Sequence, residues 1–230
     1  MTVLASTLIE ECAADFDTDY GRWSQDNWLD YINAGERQMV YLKPSSYTLD
    51  TPFQLVEGIL QSLPTGGIEL IDIPRNMGTD GLTPGASIFK TNPKDLDDTI
   101  PGWRSTTAAA TVVHFMFDPN DRKKFHVYPP QPAVSMGYVQ AVYSAVPPVI
   151  TKSGDSYAVA INLSDEYAEP LKSYMRFRAN SVDSQVSQFA YQRAVDAWNL
   201  FLTQIGRKDL IESRLPAKRG QHGSVNQPVS

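Results

Sequence analysis

Apolar residues recur at two different periods along this chain, and the change of period divides it. From about Val3 to Ala14, Leu4, Leu8 and Cys12 stand four apart with Ile9 beside them, which predicts a helix with one narrow apolar stripe. A second helix is predicted from "RWSQDNW". Ser24 is a good N-cap, Asp26 lies in the first turn where the helix dipole favours an acid, and Trp28, Ile32, Gly35, Met39 and Leu42 repeat at helical spacing until Pro44 stops them. Between the two, "DFDTDYGR" is polar and contains Gly21, so the pair reads as a helical hairpin.

From Ser45 to about Ile161 proline and glycine recur every few residues, separating short runs rich in valine, isoleucine and aromatics, the texture of strands joined by turns. "VVHFMF" and "KFHVY" flank "DPND", in which Pro119 presets the second position of a turn, and this predicts a hairpin. "YVQAVYSAV" (138–146) alternates and closes on Pro147 and Pro148. "QLVEGILQSLPTGGIELIDIPRNMG" (54–78) alternates as well, with breaks at Pro64 and Gly66-Gly67. Residues 75–98 are less regular and read as a long loop with one short strand. Helical spacing returns near Ser164 or Asp165, with Leu171, Tyr174, Met175 and Arg178 on one side and Pro170 in the second turn, where it bends the helix. A last helix is predicted from about Val186 to Ile205, with Phe189, Ala190, Ala194, Ala197, Trp198, Phe201 and Ile205 on its apolar face and Gly206 as its C-terminal cap. After Lys208 order fades: "LPAKRGQHGSVNQPVS" lacks the apolar mass to offset the entropy of ordering unless a partner binds it.

The fold class is therefore α+β. N-terminal and C-terminal helix pairs (1–44 and 163–206) form a helical bundle, an antiparallel β lobe (45–162) is inserted between them, and an extended tail (207–230) follows. At 230 residues, 42 % hydrophobic and 20 % charged, the chain can bury a sizeable core without disulfide or metal. No apolar run approaches the roughly 20 residues of a membrane span, and the acidic "MTVLASTLIEECAADF" is not a secretion signal, so the expectation is folding in a cytosol. Cys12, the single cysteine, excludes an internal disulfide and reads as a small buried apolar residue.

Charge sharpens the division. Arg207, Lys208, Arg214, Lys218 and Arg219 face only Asp209 and Glu212 in the last 24 residues, which leaves them at +3 and the first 206 at −9 within a net −6. Such a body repels nucleic-acid phosphates rather than gripping them.

Candidate chemistry is sparse. His114 and His126 sit at polar steps of the predicted hairpin, facing each other on one side of the sheet, but two imidazoles without a third ligand do not make a zinc site. Asp95, Asp97 and Asp98 in "DLDD" lack the ligand alternation and glycine of a calcium loop and read as a solvated acidic loop. "GTDGLTPG" has no lysine after it and does not match a phosphate loop. No Gly-x-Ser-x-Gly elbow occurs. Trp103, Tyr128 and Tyr138 are of the type that stacks on sugars, although aromatics in a β region more often fill a core. The reading is a non-enzyme with neither cofactor nor metal.

In order and spacing, "RWSQDNWLDYINAGERQMVYLKP", "EGILQSLPTGGIELIDIPRNMG", "FDPNDRKKFHVYPP" and "DEYAEPLKSYMRFRANSVD" resemble the head-to-tail adaptor (connector) proteins of tailed bacteriophages, the podovirus type called tail tubular protein A, over about residues 1–206. The resemblance implies a virion protein assembled in the host bacterial cytoplasm. Such proteins form a ring, usually dodecameric in that family, between the portal protein and the tail nozzle protein, through which double-stranded DNA passes without specific binding. It also implies that the tail climbs onto the portal. Arg207, Lys208, Arg214, Lys218 and Arg219 would then pair with acidic portal groups while Leu210, Ile211 and Leu215 supply anchors. A carbohydrate- or receptor-binding tail module is the alternative, with a tail-associated hydrolase third.

Overall fold

The structure, a computed structural model, describes residues 2–16, 23–183 and 187–213. Its helices start where local signals dictate. Helix α2 (Gln25–Leu42) opens on a capping box in which Ser24 Oγ accepts from the Asn27 N–H (3.2 Å) and Asn27 Oδ1 accepts from the Ser24 N–H (3.1 Å). Helix α1 (Ala5–Ala13) buries Leu8, Ile9 and Cys12, the stripe read from its spacing. A 3-10 turn at Asp165–Tyr167 leads into α4 (Ala168–Asp183), and Ser187 caps α5 (Gln188–Gln204) through the Ala190 N–H. The expected start at Val186 and the link around Gly21 lie outside the described residues.

One apolar cluster draws on all four of these helices, with Leu8, Trp28, Ile32, Leu171, Met175 and Phe201 fully buried. Gly35 lets α2 approach α4 closely: a Cβ there would lie 2.9 Å from Tyr174 Cδ1 and 3.0 Å from Leu171 Cδ2. The α4–α5 contact is aromatic, with Phe177 and Trp198 ring centres 4.9 Å apart and Tyr174 and Phe201 5.4 Å apart. Cys12 lies wholly inside this core, and burial pushes its thiol up to about 12.

The central region folds into two sheets. Strands β1 (Thr48–Gln54), β7 (Tyr138–Ala145) and β3 (Gly67–Asn76) form the first, in the order β1-β7-β3, all antiparallel. Strands β2 (Gly58–Ser62), β6 (Lys124–Gln131), β5 (His114–Phe117) and β4 (Phe89–Lys90) form the second. The predicted hairpin is β5–β6, but β4 runs parallel to β5, so this sheet is mixed rather than purely antiparallel. Ile73, Val139 and Ala141 from the first sheet meet Phe115, Phe125 and Val127 from the second in a separate apolar cluster.

Strands β2 and β3, consecutive in the alternating 54–78 stretch, belong to different sheets. The chain crosses through a turn closed by Gly67 N–H to Pro64 O (2.9 Å), with Gly66 at φ +89°. At the far side, β1 is an edge strand. Ala145 N–H bonds to Tyr47 O and Leu55 N–H to Gly137 O, so by the alternation of an antiparallel ladder Pro52 falls at a non-hydrogen-bonded position and its nitrogen faces the open edge.

Buried polar side chains on α2 tie the helices to the segment returning from the sheets. Asn33 donates to Ile150 O (3.0 Å) and accepts from the Ile150 N–H (2.8 Å). Glu36, 1 % exposed, accepts from Asn162 N–H and Nδ2 (both 2.7 Å) and from the Leu163 N–H (3.4 Å). Desolvation pushes the Glu36 carboxyl above the usual range, against the pull of those donors. Helix α1 joins the same segment through Ala5 N–H to Val159 O (2.8 Å).

Several local expectations are corrected, among them that for Phe189, expected on the apolar face of the last helix but 83 % exposed on α5. The 75–98 stretch is not one loop, because β3 runs to Asn76 and a short helix α3 (Pro93–Thr99) follows β4. The acids of "DLDD" therefore lie on α3, where Asn92 caps, Pro93 takes the first helical position and Asp95 favours the first turn. Pro170 occupies the first turn of α4, not the second, since the 3-10 turn absorbs the earlier residues; there a missing N–H costs little. Order also extends past Lys208 into α6 (Asp209–Glu212).

Gly35→Ala is expected to destabilise by about 1–3 kcal/mol in chemical unfolding, because the added methyl must displace the Tyr174 and Leu171 side chains. Glu36→Gln sets an NH2 against groups that are all donors and is expected to cost on the order of 1–3 kcal/mol. The wild-type carboxyl has a folded pKa above its unfolded one, so its contribution is fully present below the unfolded value and declines as pH rises through the folded value. Thermal unfolding of both proteins should show their gap widening toward acid.

Candidate assembly site at the carboxy-terminal junction

Helix α5 ends in a Schellman motif. Gly206, at φ +81°, donates its N–H to Thr203 O (3.1 Å), and the Arg207 N–H reaches back to Leu202 O (2.8 Å). That reversal brings Arg207 to the C-terminus of α2, where its Nη1 donates to Leu42 O (2.7 Å) and its positive charge meets the negative end of the helix dipole. The rest of the guanidinium grips Asp209, with Nε–Oδ1 at 3.0 Å and Nη2–Oδ2 at 2.9 Å. The paired charges hold the Asp209 carboxyl below and the Arg207 guanidinium above their ordinary ranges. Asp209 is the first residue of α6, whose Leu210 and Ile211 pack on the helical core.

Of the eight tail residues singled out by sequence, Arg207, Leu210 and Ile211 are thus engaged within this chain, and Lys208 leads into α6. Arg214, Leu215, Lys218 and Arg219 lie outside the described residues. Sequence reasoning missed the acceptor for Arg207, a backbone carbonyl of α2. The available signal was a basic residue directly after a helix-ending glycine.

The other candidates disperse. His114 pairs with Tyr128 and His126 with Met116, so the imidazoles share a face but lie diagonally rather than opposite. His114 stacks on Tyr128 (ring centres 6.2 Å apart), and both Nδ1 atoms are buried without a hydrogen-bond partner. Among the described residues no group of three or more His, Cys, Asp or Glu is placed to hold a metal. Asp97 accepts from Trp103 Nε1 (2.8 Å) and pairs with Arg104, which holds its carboxyl below the usual range. Trp103 is itself buried in a small cluster with Leu96 and Met116, which removes it from any sugar-stacking surface. A cavity of about 300 Å³ lined by Asp15, Arg176, Arg193 and Asp196 sets carboxylates beside guanidiniums, with Arg176 Nε 2.6 Å from Asp15 Oδ2. No described helix is long and apolar enough to cross a membrane.

Arg207→Gln is expected to loosen α6 while leaving the core intact. Amide exchange at Leu210 and Ile211 should accelerate with little change in Tm, and Arg207→Lys should not restore protection, since an ammonium cannot serve both Leu42 O and the Asp209 fork.

A comparison with curated proteins found no match. A family model described as SU10 adaptor protein matches residues 1–225, which includes the helices, both sheets and the junction. The chain belongs to the SU10 adaptor protein family, structural adaptor proteins of bacteriophages.

Proposed function

We propose that this protein is the head-to-tail adaptor of a virion, of the tail tubular protein A type. A ring of its copies, twelve by analogy with such adaptors, joins the portal to the tail nozzle and lines part of the DNA ejection channel. The observation that carries this reading is the Arg207 clamp: it fixes α6 against the end of α2, immediately before the cationic sequence that we assign to the portal. Lys208, Arg214, Lys218 and Arg219 pair with acidic portal groups, and Leu215 adds an apolar anchor. Arg207, Leu210 and Ile211 hold the preceding residues to this chain's own helical core.

Net charge supports the conduit role. The first 206 residues carry −9, and a wall of that sign lets duplex DNA pass without retention. The helical core is the rigid part of the ring subunit and the two-sheet region its second assembly lobe.

Deleting residues 214–230 should abolish co-sedimentation with the portal protein of the same phage while leaving the unfolding transition in place. Reversing Arg214, Lys218 and Arg219 to glutamate should weaken attachment and flatten its salt dependence. Undiminished attachment of the truncated chain overturns the tail's role.

A further inference from the structure

The two ends of the sheet region carry complementary surface features. At one end, the turn after β3 presents Leu82 at 80 % exposure, and the loop before β7 presents Val134 at 78 %. An exposed leucine is unremarkable by itself, but this one is held rigidly. Asp80 Oδ1 accepts from the Leu82 N–H (2.9 Å) and the Thr83 N–H (3.1 Å), and Oδ2 from Thr83 Oγ1 (3.0 Å). Gly81, at φ +73°, lies so close to Tyr138 that a Cβ would come within 2.9 Å of its ring. These donors keep the Asp80 carboxyl ionised by holding it below the usual range. The turn is thus a preorganised apolar knob beside a fixed negative charge.

At the other end lies an open groove of about 670 Å³. Phe117, Pro93 and Pro119 give it apolar walls, and Lys90, Lys94 and Asp95 line it too. Lys90 Nζ sits 4.5 Å from the Phe117 ring centre, and neither lysine has an ion-pair partner among the described residues. The groove is therefore apolar with a net cationic rim on a chain whose body is acidic.

Strand β3 separates the two features. Its Leu70 N–H bonds to Arg122 O in the β5–β6 turn that carries Pro119, whereas Met77, just past its end, bonds to Tyr138 O beside Gly81. Seven residues of irregular strand, at no more than ~3.3 Å each, set knob and groove about 20 Å apart along the sheet. Opposite placement prevents one copy from filling its own groove. It also makes the contact between copies heterologous, the type that propagates head to tail and closes into rings.

We infer that the Asp80–Leu82 turn of one copy seats in the Lys90–Phe117–Pro119 groove of the next. Leu82 enters between Phe117 and the prolines, and the Asp80 carboxylate faces Lys90 and Lys94. This names the contact between sheet regions in the proposed ring and rests on that ring reading.

The test uses thiols, because buried Cys12 does not compete. Full-length Leu82→Cys and Pro119→Cys proteins are mixed with portal protein and treated with a short bis-maleimide. Assembly is followed in parallel by electron microscopy. The expected result is a covalent dimer from the mixture but from neither single variant, and a ladder of higher multiples from the double variant. Lys90→Glu with Lys94→Glu should suppress the ladder at least about tenfold with an unchanged unfolding midpoint. Rings without an 82–119 cross-link, or a dimer from Leu82→Cys alone, overturn this contact and leave the ring standing. Failure of the wild type to form any ring on the portal overturns the ring reading and this contact with it.

Discussion

A buried carboxylate holds the two halves of the helical core to one another. Glu36 and Asn33 lie on the inner side of α2, and each binds backbone that arrives more than a hundred residues later, after the whole sheet region has been built. A charge in that position is costly unless donors surround it, and the backbone of Asn162 and Leu163 and the Asn162 amide supply three. Because these bonds fix the returning segment, α4 starts where it can meet Gly35, and α5 then packs its aromatic face onto α4. Apolar burial drives the association, and the polar clasp sets its register.

Helix boundaries were legible because their determinants are local. Ser24, Pro44 and Gly206 act through nearby groups, whereas sequence reasoning missed the Ser187 cap of α5, and the apolar spacing of α1, α2, α4 and α5 names most of the shared core. The β5–β6 hairpin was legible for the same reason. The sheet to which β2 and β3 each belong was not, since both alternate and the Pro64–Gly67 turn suits a hairpin as well as a crossing. Helix α3 carries its cap in Asn92-Pro93, but seven residues are too few for a period to show. Asn33 and Glu36 look like ordinary surface positions in sequence, and only distant backbone makes them interior. The candidate site was half legible: charge marked the tail, while the partner of Arg207 is a main-chain oxygen that no residue type can advertise.

The family membership and the junction bear on each other. An adaptor joins different components of one particle, so its body must keep its shape. In this chain a shared apolar core offsets chain entropy as far as the Schellman turn, and the Arg207 fork then ties α6 to the end of α2. Of the ion pairs made by Lys172, the one with Glu11 links α1 to α4 and the one with Glu169 lies within α4; their half-exposed carboxylates limit what either adds to stability.

Pro52 has a further implication. Unpaired strand borders are where copies of a protein can zip together into fibres. A proline nitrogen without hydrogen at the middle of the β1 border removes one rung from any such zipper, so the sheet is guarded against adhesion to its own kind.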